Sequence, residues 1–92
     1  MAEKVVRKEL TVTNKLGLHA RPAAMFVQLA GKYSAEITVK KGKEKVNGKS
    51  IMGIMMLAAG QGSKLTITAR GEDAEEAVQG LERLLREKFG EE

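Results

Sequence analysis

A chain of 92 residues suffices for one domain with a modest core, residues 1–92 being that domain, and not for two independent ones. With no cysteine and a single histidine there is no disulfide staple or thiolate metal site, so neither a metal nor a cofactor is expected, and the composition suits the reducing cytoplasm. The net charge of +4 points to acidic partners, and no segment approaches the roughly 18 apolar residues needed to cross a bilayer.

Met1-Ala2-Glu3-Lys4 is not followed by an apolar leader core, so a soluble, unprocessed, cytoplasmic protein is expected. From Val6 the chain alternates with period two: Val6, Lys8, Leu10 and Val12 share one face, and Arg7, Glu9, Thr11 and Thr13 the other. This is a first strand with Leu10 and Val12 inward.

The alternation gives way to turn chemistry at Asn14-Lys15-Leu16-Gly17, and Ala20 onward reads as helix to about Ala30, with Pro22 tolerated in the first turn. His19 therefore stands at or beside the N-cap. The amide groups of a helix start lack intrahelical partners and the helix dipole adds partial positive charge, so an anion is welcome there. The same field favours a neutral imidazole, whose free lone pair is a competent nucleophile. Arg21 adds a planar guanidinium suited to phosphate oxygens. A nucleophilic nitrogen, open amides and an arginine suit a phosphorylated histidine; an ordinary capping or surface histidine is the plainer alternative. Ala23, Val27 and Ala30, with Phe26 nearby, form the expected buried stripe.

Gly31-Lys32-Tyr33-Ser34 ends the helix, and Ile37 and Val39 face inward from a second strand. Lys41-Gly42-Lys43 reads as a tight turn into a third strand, Glu44 to Asn47, with Val46 inward. Lys40, Lys41, Lys43, Lys45 and Lys49 crowd this region. A basic nucleic-acid-binding module would use them, but one Tyr, two Phe and no Trp supply little for stacking bases, so acidic protein surfaces are the better match and no nucleic acid is expected.

Ser50 before Ile51-Met52-Gly53-Ile54-Met55-Met56-Leu57 suggests an N-cap on a short helix. Ile54 and Leu57 belong to the core, whereas Ile51, Met52 and Met55 exceed what one buried side needs and form a candidate contact patch. Leu65, Ile67 and Ala69 alternate with Thr66, Thr68 and Arg70 in a fourth strand. Asp73 with Glu76 makes a capping-box pattern for a last helix whose stripe Ala74, Ala77, Val78, Leu81, Leu84 or Leu85, and Phe89 covers the sheet. Glu82 with Arg86 and Arg83 with Glu87 are expected i,i+4 pairs. Gly80 inside this helix has no explanation beyond close packing, and Gly90-Glu91-Glu92 is expected to fray. The order strand, helix, strand, strand, helix, strand, helix predicts an α+β fold: an open-faced two-layer β-sandwich of βαββαβα order, its four-stranded antiparallel sheet covered on one face by helices.

Leu16-Gly17-Leu18-His19-Ala20-Arg21-Pro22-Ala23-Ala24 resembles the active-site signature of the HPr family, the histidine-containing phosphocarriers of the phosphoenolpyruvate-dependent phosphotransferase system. Val46-Asn47-Gly48-Lys49-Ser50-Ile51-Met52-Gly53-Ile54-Met55 is similar to that family's second signature, around its regulatory serine, in matching order and spacing. The resemblance implies the same open-faced architecture. It further implies a phosphoryl carrier, not a standalone enzyme: His19 accepts phosphate from phosphorylated Enzyme I, through its δ nitrogen, and passes it to an Enzyme IIA domain, with Arg21 as a phosphate contact. Ser50 matches the target of an HPr kinase/phosphorylase, with transcriptional regulators as further partners. A phosphate on Ser50 adds a charge of about −1.5 to −2 at a helix start beside the contact patch. Ala20, Pro22, Ala24, Ile51, Met52 and Met55 are the implied partner-binding residues, on an expected monomer. After Met55, Met56-Leu57-Ala58-Ala59-Gly60 departs from the usual serine-leucine-glycine stretch and resembles members from bacteria with reduced or regulatory systems. A regulatory, nitrogen-type carrier not coupled to sugar uptake is therefore the alternative within the same chemistry. No Gly-rich nucleotide loop is present, so the domain is not expected to use ATP.

Overall fold

A computed structural model of the chain describes residues 3–91. Its elements are β1 (Val5–Thr11), α1 (Ala20–Ala30), β2 (Glu36–Lys41), β3 (Glu44–Asn47), α2 (Ile51–Met56), β4 (Lys64–Arg70) and α3 (Ala74–Arg86), followed by a tight turn at Lys88–Gly90. This is the βαββαβα order read from the sequence. The four strands form one antiparallel sheet in the order β1-β4-β2-β3, with the helices on one face.

Register explains which residues face the helices. Lys8, Ile67, Val39 and Val46 lie side by side in one inward row, and Leu10 pairs with Leu65 in the next. Their apolar members meet Phe26 of α1, Ile54 of α2 and Ala77, Val78, Leu81 and Leu85 of α3 in one core. Burying each large side chain of this set contributes roughly 1.5–3 kcal/mol, which makes the second-face alternation of threonine, lysine and glutamate affordable in water. Lys8, inward on an edge strand, turns to α3 and donates to Glu82 at 2.8 Å.

Several local expectations give way to contacts between distant segments. The stripe of α1 is Ala23, Phe26 and Ala30, with Val27 only partly buried against the core. The i,i+4 pairs of α3 are absent among the described residues, since Glu82 is taken by Lys8. Asp73 makes no side-chain cap bond to α3 and so forms no capping box. Its carboxylate accepts instead from the backbone amides of Ser34 (2.8 Å) and Ala35 (2.9 Å), holding the α1–β2 connection. The Ser34 amide is the main reason that this carboxyl is held below its ordinary value. Gly80 now has its reason: a Cβ there would stand 2.4 Å from the Tyr33 hydroxyl, so the glycine admits Tyr33 against α3. The chain end does not fray up to Glu91, whose side chain is fixed as described below; Glu92 lies outside the described residues.

Candidate functional site

His19 is the N-cap residue of α1, with extended backbone angles, and its side chain makes no cap bond to the helix. The ring is thus not spent on the helix start. Helix geometry leaves the amides of Ala20 and Arg21 without intrahelical acceptors, and Pro22 has no amide to satisfy.

The loop that delivers His19 is held by close backbone contact. Gly17 adopts φ +69°, and a Cβ on it would come within 2.4 Å of the Ala59 carbonyl oxygen and 2.7 Å of Gly60 Cα. Only glycine permits this approach. Immediately after it, the Leu18 amide donates to the same Ala59 carbonyl at 2.8 Å. The loop before α1 is thereby joined to the loop after α2.

The site's least anticipated member is Glu91. Its Oε2 lies 2.9 Å from His19 Nε2 and accepts from Arg21 Nη1 at 3.2 Å. Its Oε1 accepts from Asn14 Nδ2 at 2.9 Å, and the same amide nitrogen donates to the Gly17 carbonyl at 2.8 Å. Asn14 is fully buried, and its Oδ1 has no partner among the described residues. Turning the amide over would set Oδ1 against a carboxylate and a carbonyl, two groups that only accept, so its orientation is determined. Hydrogen bonding from Asn14 is the main cause that holds the Glu91 carboxyl below its ordinary value, burial opposes it, and His19 and Arg21 add to the lowering. Glu91 is therefore ionised at neutral pH.

The tail reaches this position through a left-handed turn. Lys88 and Phe89, neither of them glycine, both have φ +57°, and Gly90 follows at +72°. Left-handed backbone costs a non-glycine residue roughly 1–2 kcal/mol. For the two residues together this is roughly 2–4 kcal/mol; complete burial of Phe89, contributing roughly 1.5–3 kcal/mol, offsets much of it, and the Gly90 and Glu91 amides close the turn onto Glu87 and Lys88.

Of the residues singled out from sequence, His19 and Arg21 converge on one carboxylate oxygen, at 37% and 58% side-chain exposure. Ser50 caps α2, its hydroxyl accepting from the Gly53 amide at 3.1 Å. Ile51, Met52 and Met55 are exposed, as are Met56 and Leu16, two apolar side chains not included in the expected patch. Ala20 is exposed and Ala24 half-buried. Pro22 is fully buried in the first turn, where it shapes the helix start. Asn14 and Glu91 were missed, the first because it reads as turn chemistry, the second because its contact spans more than seventy positions. The basic run disperses as well: Lys41 donates to the Leu57 carbonyl and Lys49 to the Tyr33 carbonyl.

A family model described as the PTS HPr component phosphorylation site matches residues 6–87. The chain belongs to the HPr family. Among curated HPr relatives, the phosphocarrier protein HPr of Cupriavidus necator is 44% identical over 87 residues, 95% of this chain and 98% of its own. That of Pseudomonas aeruginosa is 49% identical over 84 residues, 90% of this chain and 93% of its own. Among solved structures, HPr-C-His from Thermoanaerobacter tengcongensis superposes with a TM-score of 0.86 at 51% identity, covering 100% of this chain and 99% of that one. The chain is thus an HPr phosphocarrier of the phosphotransferase system, with the fold of HPr structures. No helix of the described residues is long and apolar enough to cross a membrane.

Proposed function

We propose that His19 is the phosphoryl-carrying residue, accepting phosphate from phosphorylated Enzyme I and passing it to an Enzyme IIA domain. The observation that carries this reading is the ring of His19 at the start of α1, half-exposed, uncommitted to capping the helix and beside the Arg21 guanidinium. A neutral imidazole nitrogen attacks phosphorus as the donor's bond to phosphorus breaks, and Arg21 with the open amides of α1 meets the transferring charge. Docking is assigned to Ala20 and Ala24 on α1 and to Ile51, Met52 and Met55 on α2, helices that pack against each other. The protein works as a monomeric cytoplasmic shuttle, with no cofactor of its own.

Ser50 is the regulatory position in this reading. An HPr kinase/phosphorylase would place a dianion at the start of α2, next to the exposed Ile51 and Met52, opposing acidic or apolar partners there and favouring a different one, such as a transcriptional regulator. The output is sugar uptake or, in the nitrogen-type alternative, regulation alone.

Incubation with Enzyme I and phosphoenolpyruvate, followed by intact mass and phosphorus NMR, tests the carrier role. One acid-labile phosphate on the unsubstituted chain and none on His19→Ala is the expected result. Equal labelling of the two chains, or none on either while a known carrier is labelled alongside, refutes it.

A further inference from the structure

Residues 6–87 carry the family match, and Glu91 lies outside them. Yet Glu91 is the group in direct contact with His19. Its carboxylate is 81% shielded from solvent and fixed at three points: the Asn14 amide on Oε1, and His19 Nε2 and Arg21 on Oε2. A backbone turn with two consecutive non-glycine residues in the left-handed region, anchored by the fully buried Phe89, sets it there. Outliers of this kind persist only where surrounding structure holds them, and they concentrate at functional positions.

An ionised carboxylate only accepts hydrogen bonds, so the imidazole nitrogen facing it must carry the proton. Nε2 is therefore the N–H nitrogen of the neutral ring, and the lone pair falls on Nδ1, which has no hydrogen-bond partner among the described residues. We propose that Glu91 is a positioning residue for phosphoryl transfer: it orients the His19 ring and holds its Nε2–H tautomer, leaving the δ nitrogen that the family uses facing away from the carboxylate. This inference rests on the carrier role proposed for His19.

The step balances without a general base. Nδ1 donates its electron pair to phosphorus while the donor's bond to phosphorus breaks and its electron pair leaves with the donor. The Nε2 proton stays in place throughout. The phosphorylated ring carries positive charge, and Glu91 faces that charge through the retained Nε2–H bond. On transfer to the acceptor the same bond remains and the ring returns to neutrality, so one carboxylate serves both directions of the relay.

The decisive variant is Glu91→Gln, which keeps the side-chain shape and removes the charge, with Phe89→Ala as a second variant that keeps the carboxylate and removes its anchor. Two readouts apply. In the unphosphorylated protein, the Nε2–H proton of His19 is expected as a slowly exchanging resonance by nitrogen-edited NMR, lost in both variants. In single-turnover reactions with phosphorylated Enzyme I, both variants are expected to accept phosphate about tenfold more slowly, with half-saturation by Enzyme I unchanged, since the docking surface is untouched. A ring proton equally protected in Glu91→Gln, or transfer at the unsubstituted rate, overturns the positioning role while leaving the carrier role standing. Failure of the unsubstituted chain to accept phosphate overturns both.

Discussion

The chain contains two helix starts that look alike as backbone and differ in how the N-cap side chain is used. At α2, Ser50 directs its hydroxyl inward and accepts from the Gly53 amide, so the residue is part of the helix it begins. At α1, His19 occupies the same position with extended angles and gives its side chain to no helix amide. Its ring meets Glu91 instead, a residue from the far end of the chain. A cap that bonds its own helix contributes to stability, whereas one left uncommitted is available for chemistry; the two signatures divide these roles between them.

The largest loss of stability is expected in the loop that presents His19. Gly17→Ala forces a Cβ into the Ala59 carbonyl and a left-handed backbone on alanine, and a loss of about 2–4 kcal/mol is expected, read from the denaturant midpoint. A loss below about 0.5 kcal/mol would mean that the two loops are not joined as described.

A smaller difference addresses the caps directly. Ser50→Ala should cost about 1 kcal/mol by removing a cap bond, and phosphoryl acceptance should persist. His19→Ala, with no cap bond to lose, should leave chemical denaturation within about 0.5 kcal/mol of the unsubstituted chain while acceptance disappears. Equal stability losses in the two variants would erase the distinction drawn between them.

The smallest effect concerns acid. The Glu91 carboxyl sits below its ordinary value of 4.5 in the folded chain, so its contribution is fully present above that value and is lost as pH falls through the lower folded value. Below pH 4.5 the tail contact should therefore weaken before the sheet does, seen as earlier NMR shifts at Asn14 and Glu91 than at Ile67. In Glu91→Gln this local transition should vanish. Asp73, lowered from 3.8, follows the same sign: its contribution is present above that value and is lost as pH falls below it.

How far the sequence sufficed can be judged from these same residues. The bounds of α1, the N-cap positions of His19 and Ser50, and the inward sets of all four strands follow from local rules of periodicity, capping and turn chemistry, and the fold agrees with each. Local rules failed where a side chain had two possible partners. Asp73 and Glu82 each have an intrahelical option worth a few tenths to about 1 kcal/mol, and each takes a partner on another element. Such choices are decided by which backbone amides or cations the tertiary fold brings near, information that spacing does not hold. Glu91 is the extreme case. The one available hint was Phe89, an aromatic residue in register with the buried stripe of α3, since a buried ring that close to the chain end holds its neighbours in place.

The outer face of the sheet has a use that follows from its bareness. It carries Lys40 and Lys45 side by side on β2 and β3, on the side away from the helical layer, and the chain contains no cysteine. A thiol introduced at Lys45 would be unique in the protein and would project from the side opposite the helices. A dye or surface tether attached there would report on traffic through the histidine from behind, with the helical layer left clear.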